Sequence, residues 1–291
     1  MVTGAGGFIG RRLVQTLARE GAEVCGWTRQ DIDLLDRAAV VAAMDAVRPS
    51  AIFHLASAGV GAERAHDPKV IAEDVAMTGA LLAAAPRGSR LVVTGSMAEY
   101  GRGGRHGEDD RCDPRTAYAI ARLAAGSLAL AYAEKYGLAV TVARLFGVYG
   151  PGEAPQRLFP QLVESLSAGR AVPLSDGLQR RDFIHVDDVC RTLIAIAATP
   201  AAGGPPIVNV GTGKAVRVRD AAEWIADALA VPRALLEFGA RQRSPGDEDL
   251  LEADVTRLSA LLGAAPPQRL GPGQPIELFT QGAVDPSPSR S

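Results

Sequence analysis

Lysine and cysteine are scarce in this sequence. Three of the 31 basic residues are lysine, so arginine is the ordinary cation of the chain and a single arginine carries little meaning by itself. The three cysteines form no CxxC pair, which argues against a disulfide framework and against a structural zinc site. We therefore expect reduced thiols, no metal and a cytoplasmic protein.

The sequence also lacks an excess of charge and any long apolar run. Its 31 basic and 33 acidic residues give a net charge of −2, which excludes the broad positive field needed for nonspecific binding to nucleic acid or membrane surfaces. No stretch approaches the roughly 20 apolar residues that cross a bilayer, and no signal peptide is recognisable at the start. Because 47% of the 291 residues are hydrophobic, a sizeable core can form around a site for a small molecule.

Short apolar runs alternate with segments of helical periodicity in the first half of the chain. The predicted strands cover 22–27, 51–55, 90–94 and 139–144. The predicted helices cover 11–20, 38–47, 68–85 and 116–136. This alternation is typical of βαβ units, so we predict an α/β protein with a Rossmann-type, doubly wound parallel sheet.

After Gly150 the pattern changes to shorter helices separated by glycine and proline. We predict a nucleotide-binding domain over 1–150, to which 187–200 returns, and a smaller α/β substrate lobe over most of 151–279. Residues 280–291 are polar and contain two prolines, which predicts a disordered tail.

A glycine-rich turn, TGAGGFIG, occupies residues 3–10. Glycine allows a tight turn and a close approach of the backbone to a pyrophosphate, and the helix behind it supplies free N–H groups. The turn, with its glycines at Gly4, Gly7 and Gly10, predicts a dinucleotide site. Only Met1 to Thr3 precede its first glycine, so the first strand must be short or must begin upstream.

Thr28 and Arg29 follow the second predicted strand, where a site that prefers NAD would place an Asp or Glu on the ribose. A hydroxyl and a guanidinium suit a 2′-phosphate, so NADP(H) is favoured and NAD(H) remains possible. Asp33 and Leu34 lie in a turn that could meet adenine, although Asp33 could equally cap a helix.

Tyr118 and Arg122 are four residues apart on a predicted helix and so share one face. A cation beside a phenol lowers the phenol pKa and makes it a usable proton donor. Ser96, at the end of a predicted strand, could hold a carbonyl oxygen against that phenol. A tyrosine and an arginine at this spacing also fit an ordinary solvated pair.

Taken together, the motifs resemble the extended short-chain dehydrogenase/reductase family, which includes nucleotide-sugar epimerases, dehydratases and ketoreductases. They occur in order along nearly the whole chain: TGAGGFIG (3–10), DLLDRAAV (33–40), FHLAS (53–57), GSMAEYG (95–101), YAIAR (118–122), RLFGVYGPG (144–152), RRDFIHVDD (180–188) and RSPGDEDLLEAD (243–254). The resemblance implies that Tyr118 is the catalytic acid/base, Ser96 its hydroxyl partner and Arg122 the cation on the nicotinamide ribose.

The resemblance also assigns further binding residues. Phe8 and Ile9 would join the three glycines in cradling the pyrophosphate of the cofactor. Leu55, Ala56 and Ser57 would line the cofactor on the side opposite the glycine turn. Arg181 and Arg243 would grip the diphosphate of a nucleotide sugar, for which a guanidinium fork is well suited. A homodimer through the helices at 68–85 and 116–136 is the expected assembly.

Three positions depart from the family pattern. Arg122 replaces the usual lysine, Asp74 replaces an asparagine of the preceding helix, and Gly147 replaces the asparagine of an R-x-x-N motif. Arginine keeps the charge, but its planar fork cannot place donors on two ribose hydroxyls as an ammonium does.

Several reactions remain open on this pattern. Dehydratases usually place Asp-Glu directly after the catalytic hydroxyl, whereas Met97 and Ala98 follow it here and leave Glu99 as one carboxylate. We therefore expect an NADPH-dependent 4-ketoreductase that acts on a nucleotide-linked 4-keto-6-deoxy sugar. An NAD-dependent epimerase or dehydratase is one alternative. The other, motivated by Arg122, is a non-redox enzyme or a protein that only binds NADP(H).

Two histidines have structural interpretations instead. His54 ends a buried predicted strand. His185 lies in the RDFIHVDD segment, where Asp182 and Asp188 could tie the two lobes together by hydrogen bonds.

Overall fold

Helices and strands alternate along the chain as the apolar pattern predicts. The computed structural model describes residues 1–59, 64, 66–200, 204–243 and 246–280, so most of the predicted tail, 281–291, lies outside the described residues. The helices are α1 Phe8–Arg19, α2 Arg37–Val47, α3 Lys69–Ala84, α4 Ala117–Tyr136, α5 Leu158–Ser167, α6 Val186–Ala198, α7 Val218–Ala228 and α8 Thr256–Leu262. The strands are β1 Val2–Thr3, β2 Gly26–Trp27, β3 Ala51–His54, β4 Arg90–Ser96, β5 Gly104–His106, β6 Ala139–Leu145, β7 Gly147–Tyr149, β8 Val172–Leu174, β9 Arg180–Arg181, β10 Phe183–His185, β11 Ile207–Val210, β12 Val216–Arg217, β13 Leu236–Phe238 and β14 Leu250–Ala253.

The central sheet has six strands in the order β2-β1-β3-β4-β6-β11, and every neighbouring pair is parallel. Helices α1 and α6 pack together on one face, while α2, α3 and α4 cover the other. The central strands β4 and β6 are almost wholly buried, as expected for parallel strands covered on both faces. The predicted α/β class and doubly wound sheet are confirmed.

Two details of the sheet differ from the sequence prediction. The second strand is limited to Gly26–Trp27 and does not span 22–27, because 22–25 form no ladder with β1. The edge strand β11 comes from beyond residue 200, within the range assigned mainly to the substrate lobe. It lies beside β6, with Val208 opposite Ala143.

The remaining strands form three small sheets outside the central one. The largest has the order β12-β9-β14-β5, and the other two are the pairs β10-β7 and β13-β8. Helices α5 and α7 pack against each other over a separate apolar core that includes Tyr149, Phe159 and Phe279. Among the described residues, none of the helices combines the length and the apolar character needed to span a bilayer.

Candidate active site

A cavity of about 340 Å³ opens at the carboxyl ends of β1, β2 and β3. Most of the predicted cofactor residues line it: Gly4, Gly7, Thr28, Arg29, Asp33, Leu34, Leu55, Ala56 and Ser57. Phe8, Ile9, Gly10, Tyr118 and Arg122 are not part of its lining. This position is where open α/β sheets bind nucleotides.

The glycine turn leaves room for a pyrophosphate. Gly4 has φ +68°, and a Cβ atom there would lie 2.8 Å from the backbone nitrogen of Ala56. A Cβ on Gly10 would collide with the carbonyl oxygen of Gly4. Gly7 is the N-cap of α1 and has no side chain to occupy the first-turn N–H groups, which therefore suit an anion. The backbone thus fits the phosphates of a dinucleotide.

Asp31, a carboxylate that sequence reasoning missed, contacts Thr28 of the cavity lining and is not itself part of that lining. The backbone N–H and the hydroxyl of Thr28 both donate to Asp31 Oδ2, at 2.8 and 2.6 Å. These two hydrogen bonds hold the pKa of Asp31 below its usual value. The spacing of three residues between a threonine and an aspartate in a turn was the available signal. Arg29, beside them, is exposed and lines the cavity.

The helix cap that was considered for Asp33 belongs to another residue. Asp36 caps α2, since its Oδ1 accepts from the N–H groups of Ala38 and Ala39. The Asp33 carboxylate instead accepts from the N–H of Leu35 at 3.0 Å and lines the cavity. Its capping interpretation is therefore wrong.

The far wall of the cavity comes from α3 and the loop before it. Glu73 and Met77 line it from adjacent turns of α3, and Arg64 donates to Glu73 Oε2 at 2.9 Å. None of these three was predicted. The four-residue spacing places Glu73 and Met77 on one face of α3. Only the packing of α3 against the rest of the protein shows that this face lines the cavity.

Ser96 ends β4 and begins a 3₁₀ turn, Met97–Glu99. Its hydroxyl accepts from the N–H of Ala98 at 3.2 Å, and its own N–H donates to Glu99 Oε1 at 2.8 Å. The other oxygen of Glu99 accepts from Arg144 Nε at 2.7 Å, and both side chains of this pair are at most 5% exposed. Glu99 is therefore held as the partner of a buried cation.

Tyr118 lies in the first turn of α4, which Thr116 caps by accepting from the N–H of Ala119 at 3.1 Å. The tyrosine is half-buried. Because α4 packs against both β4 and the 3₁₀ turn that follows it, Tyr118 and Ser96 lie on adjoining elements.

Arg122 is 3% exposed and points into the protein. Its Nη1 donates to Asp74 Oδ2 at 3.1 Å and to the carbonyl oxygen of Ala56 at 3.2 Å, and its Nη2 donates to the carbonyl oxygen of Thr94. Two of the departures from the family pattern, at positions 74 and 122, are thus in direct contact.

The arginines predicted to bind a diphosphate pair with carboxylates. Arg181 forms an ion pair with Asp247. Arg243 donates to Asp176 at 2.8 Å and to Asp249 at 2.6 Å. Asp247 and Asp249 are two residues apart, so both arginines contact the same stretch of chain.

The histidines and Asp182 have structural partners, which confirms the interpretation made for them. His54 lies between the hydroxyls of Thr3 and Thr78, and burial, with a contribution from Arg122, lowers its pKa to about 3. His185 caps α6 and contacts the carbonyl oxygen of Leu278.

Asp182 accepts from the N–H and the hydroxyl of Thr212 and from the N–H of Gly213. No cluster of three metal-binding side chains occurs in the part of the chain that the structure describes.

Comparison with known proteins agrees with this geometry. The dTDP-6-deoxy-L-talose 4-dehydrogenase (NAD(P)(+)) of Kitasatospora kifunensis is 28% identical, over 92% of this chain and 91% of that protein. The solved structure of MoeE5 with UDP-glucuronic acid and NAD is 30% identical with a TM-score of 0.78, and covers 95% of this chain and 97% of its own. RMD from Pseudomonas aeruginosa with NADPH is 26% identical with a TM-score of 0.80, and covers 95% and 94%.

A family model also matches the chain, over its first 211 residues. The model described as the NAD dependent epimerase/dehydratase family aligns with residues 1–211. This confirms the resemblance read from the motifs. The chain belongs to the NAD dependent epimerase/dehydratase family and is an NAD(P)-dependent enzyme of the extended short-chain dehydrogenase/reductase type.

Proposed function

We propose that the protein reduces a 4-keto-6-deoxy sugar, carried on a nucleoside diphosphate, with NADPH. The buried ion pair between Glu99 and Arg144 is the observation that favours reduction over the other reactions of the family. Elimination of water needs an acid and a base beside the sugar, but Met97 and Ala98 follow Ser96, and Glu99 is buried against Arg144. A reduction needs only one proton donor, which Tyr118 supplies.

Each residue of the proposed site has one task. The cofactor, when bound, supplies the hydride. Tyr118 donates a proton to the oxygen of the forming alcohol, and the Ser96 hydroxyl hydrogen-bonds to that oxygen as its negative charge grows. Arg181 and Arg243 exchange their carboxylate partners for the diphosphate of the substrate, which presents the same kind of oxygen acceptors.

Two observations support NADPH and this substrate class. The exposed guanidinium of Arg29 lines the cavity beside Thr28, where it could pair with a 2′-phosphate. In addition, the similar protein from Kitasatospora kifunensis is named as a 4-dehydrogenase of a dTDP-linked 6-deoxy sugar that uses NAD(P)(+).

An NAD-dependent epimerase is the second candidate, and Asp31 favours it. A carboxylate at this end of the site suits ribose hydroxyls and repels a 2′-phosphate, and it already holds the Thr28 hydroxyl. Replacement of Arg29 or Asp31 by alanine separates the two cofactors. If NADPH is used, R29A weakens NADPH binding by about tenfold, the worth of one charge-assisted hydrogen bond, and leaves NADH unchanged. If NAD is used, D31A weakens NADH binding instead.

The reaction itself is tested by adding nucleotide-linked 4-keto-6-deoxy sugars to the enzyme with NADPH or NADH and following the nicotinamide absorbance. We expect oxidation of NADPH and a loss of turnover of about 100-fold or more in Tyr118→Phe, since a positioned proton donor contributes at least that much. Tyr136→Phe, at a tyrosine 57% exposed on the same helix, is the matched control and should retain full turnover. Cofactor binding without oxidation of any sugar would instead indicate a non-redox enzyme or a binding protein.

The proposed assembly is a homodimer through α3 and α4. Ile120 is an exposed apolar residue on α4 and would be covered by a second copy. Sedimentation at micromolar concentration tests this assembly, and a purely monomeric boundary contradicts it.

A further inference from the structure

Asp74 and Arg122 form an ion pair directly behind the cofactor cavity. Asp74 lies on α3 and Arg122 on α4, and their side chains are 1% and 3% exposed. A pair removed this far from water is held by its own hydrogen bonds, because neither charge has solvent to stabilise it.

The acceptors and donors around this pair belong to the cavity wall. The carboxylate of Asp74 accepts from the N–H of Ala58 at 2.6 Å and from the hydroxyl of Ser57 at 3.1 Å. The guanidinium of Arg122 donates to the carbonyl oxygen of Ala56. Residues 56–58 line the cavity, so each of these three residues is fixed from behind by one member of the pair.

Arg122 also ties this wall to the strand that carries Ser96. Its Nη2 donates to the carbonyl and hydroxyl oxygens of Thr94, two residues before Ser96 on β4. The guanidinium reaches β4, the segment after β3 and a carboxylate from two separate nitrogens, whereas a lysine would have to reach all three from one nitrogen. Asparagine at position 74 would leave the buried guanidinium of Arg122 without a counter-charge. The aspartate at 74 and the arginine at 122 therefore depend on each other.

We propose that Asp74 and Arg122 are a coupled pair of positioning residues that set the cavity wall at 56–58 for the cofactor, so that Arg122 acts through Asp74 and the wall and does not bind the nicotinamide ribose itself. The inference rests on the proposed cofactor site. It does not depend on which sugar is reduced.

A double-mutant cycle on the full chain tests the pair through cofactor binding alone. The variants are Asp74→Asn, Arg122→Lys and the double variant, which recreates the asparagine and lysine usual in the family. The dissociation constants of NADPH and NADH are measured for each, together with the midpoint of thermal unfolding. We expect each single variant to bind the cofactor about tenfold more weakly, and the double variant to recover to within about threefold of the wild type, as for residues in direct contact.

A matched control separates positioning from general loss of stability. Asp188 is 3% exposed and pairs with Arg269, and neither residue lines the cavity. Asp188→Asn should therefore lower the unfolding midpoint and leave cofactor binding unchanged.

Two results would overturn the inference. In one, Arg122→Lys alone binds the cofactor as tightly as the wild type and turns over faster, which would make Arg122 a simple substitute for a ribose-binding lysine. In the other, the losses of the two single variants add in the double variant. Failure of the sugar assay would refute the proposed reaction and leave this cycle intact, since the cycle measures binding of the cofactor only.

Discussion

Replacing Glu99 by glutamine should destabilise the protein before it affects any chemistry. Glu99 accepts from Arg144 Nε at 2.7 Å and from the Ser96 N–H at 2.8 Å, so both of its oxygens face donors. A glutamine would turn its NH₂ group toward one of these donors and would leave Arg144 as an unpaired buried charge.

The size of this effect follows from the burial of the pair. Glu99 is 1% and Arg144 5% exposed, and removing one partner of such a pair costs about 3–5 kcal/mol. For a chain of this size each kcal/mol moves the unfolding midpoint by roughly 2–4 °C, so we expect a loss of about 10 °C.

Thermal unfolding followed by circular dichroism measures the loss. The matched control is Glu164→Gln, which breaks an ion pair between side chains that are 57% and 70% exposed. That pair contributes less than about 1 kcal/mol, so the control should melt within about 2 °C of the wild type.

One result would refute the structural role of Glu99. If Glu99→Gln melts with the wild type but loses turnover, Glu99 is acting as an acid or base, and dehydration returns as a candidate reaction. A large fall in the melting midpoint, with turnover retained at low temperature, supports the buried ion pair and the reductase.

Two further predictions concern the dependence of stability on pH, and both are checked by chemical unfolding from pH 4 to 8. Burial raises the pKa of Glu153 to about 7, and its Oε2 has no partner among the described residues. The pKa of Glu153 is higher in the folded than in the unfolded protein, so stability is lost as pH rises from 4.5 through 7. Glu153→Gln should therefore be more stable than the wild type by on the order of 3 kcal/mol at pH 8 and equally stable at pH 4. Equal stability of the two proteins at pH 8 contradicts this prediction. Burial lowers the pKa of His54 to about 3, so stability is lost as pH falls below 6.5, by about 1.4 kcal/mol per pH unit. A slope of this size that persists in His54→Gln contradicts the assignment.

Local patterns in the sequence were enough for the class of fold and for half of the site. The alternation of apolar strands and helices predicts the parallel sheet, because strand and helix periodicity are properties of neighbouring residues. The glycine turn at 4–10 predicts its own conformation, since φ +68° at Gly4 and the close approach of Gly10 to Gly4 are local constraints. Nine of the predicted cofactor residues line the cavity, and three of them, Leu55, Ala56 and Ser57, were assigned by the resemblance to the family.

The length of strands was less predictable than their existence. Residues 22–25 have the apolar character of a strand, yet only Gly26–Trp27 pairs with β1. Pairing depends on how far the neighbouring strand extends, and β1 has two residues. The edge position of β11 was not predictable either, because β11 pairs with β6 across a long stretch of intervening chain and no local pattern indicates that pairing.

The partners of the charged side chains were decided by the tertiary structure alone. The sequence placed Arg122 four residues from Tyr118, but its charge is paired with Asp74, 48 residues away, and Glu99 is paired with Arg144, 45 residues away. Such pairs form only where α3, α4, β4 and β6 exclude water from both groups. The sequence by itself therefore determined the sheet and the glycine turn, whose causes are local, whereas the packing of distant elements determined what each buried charge can do.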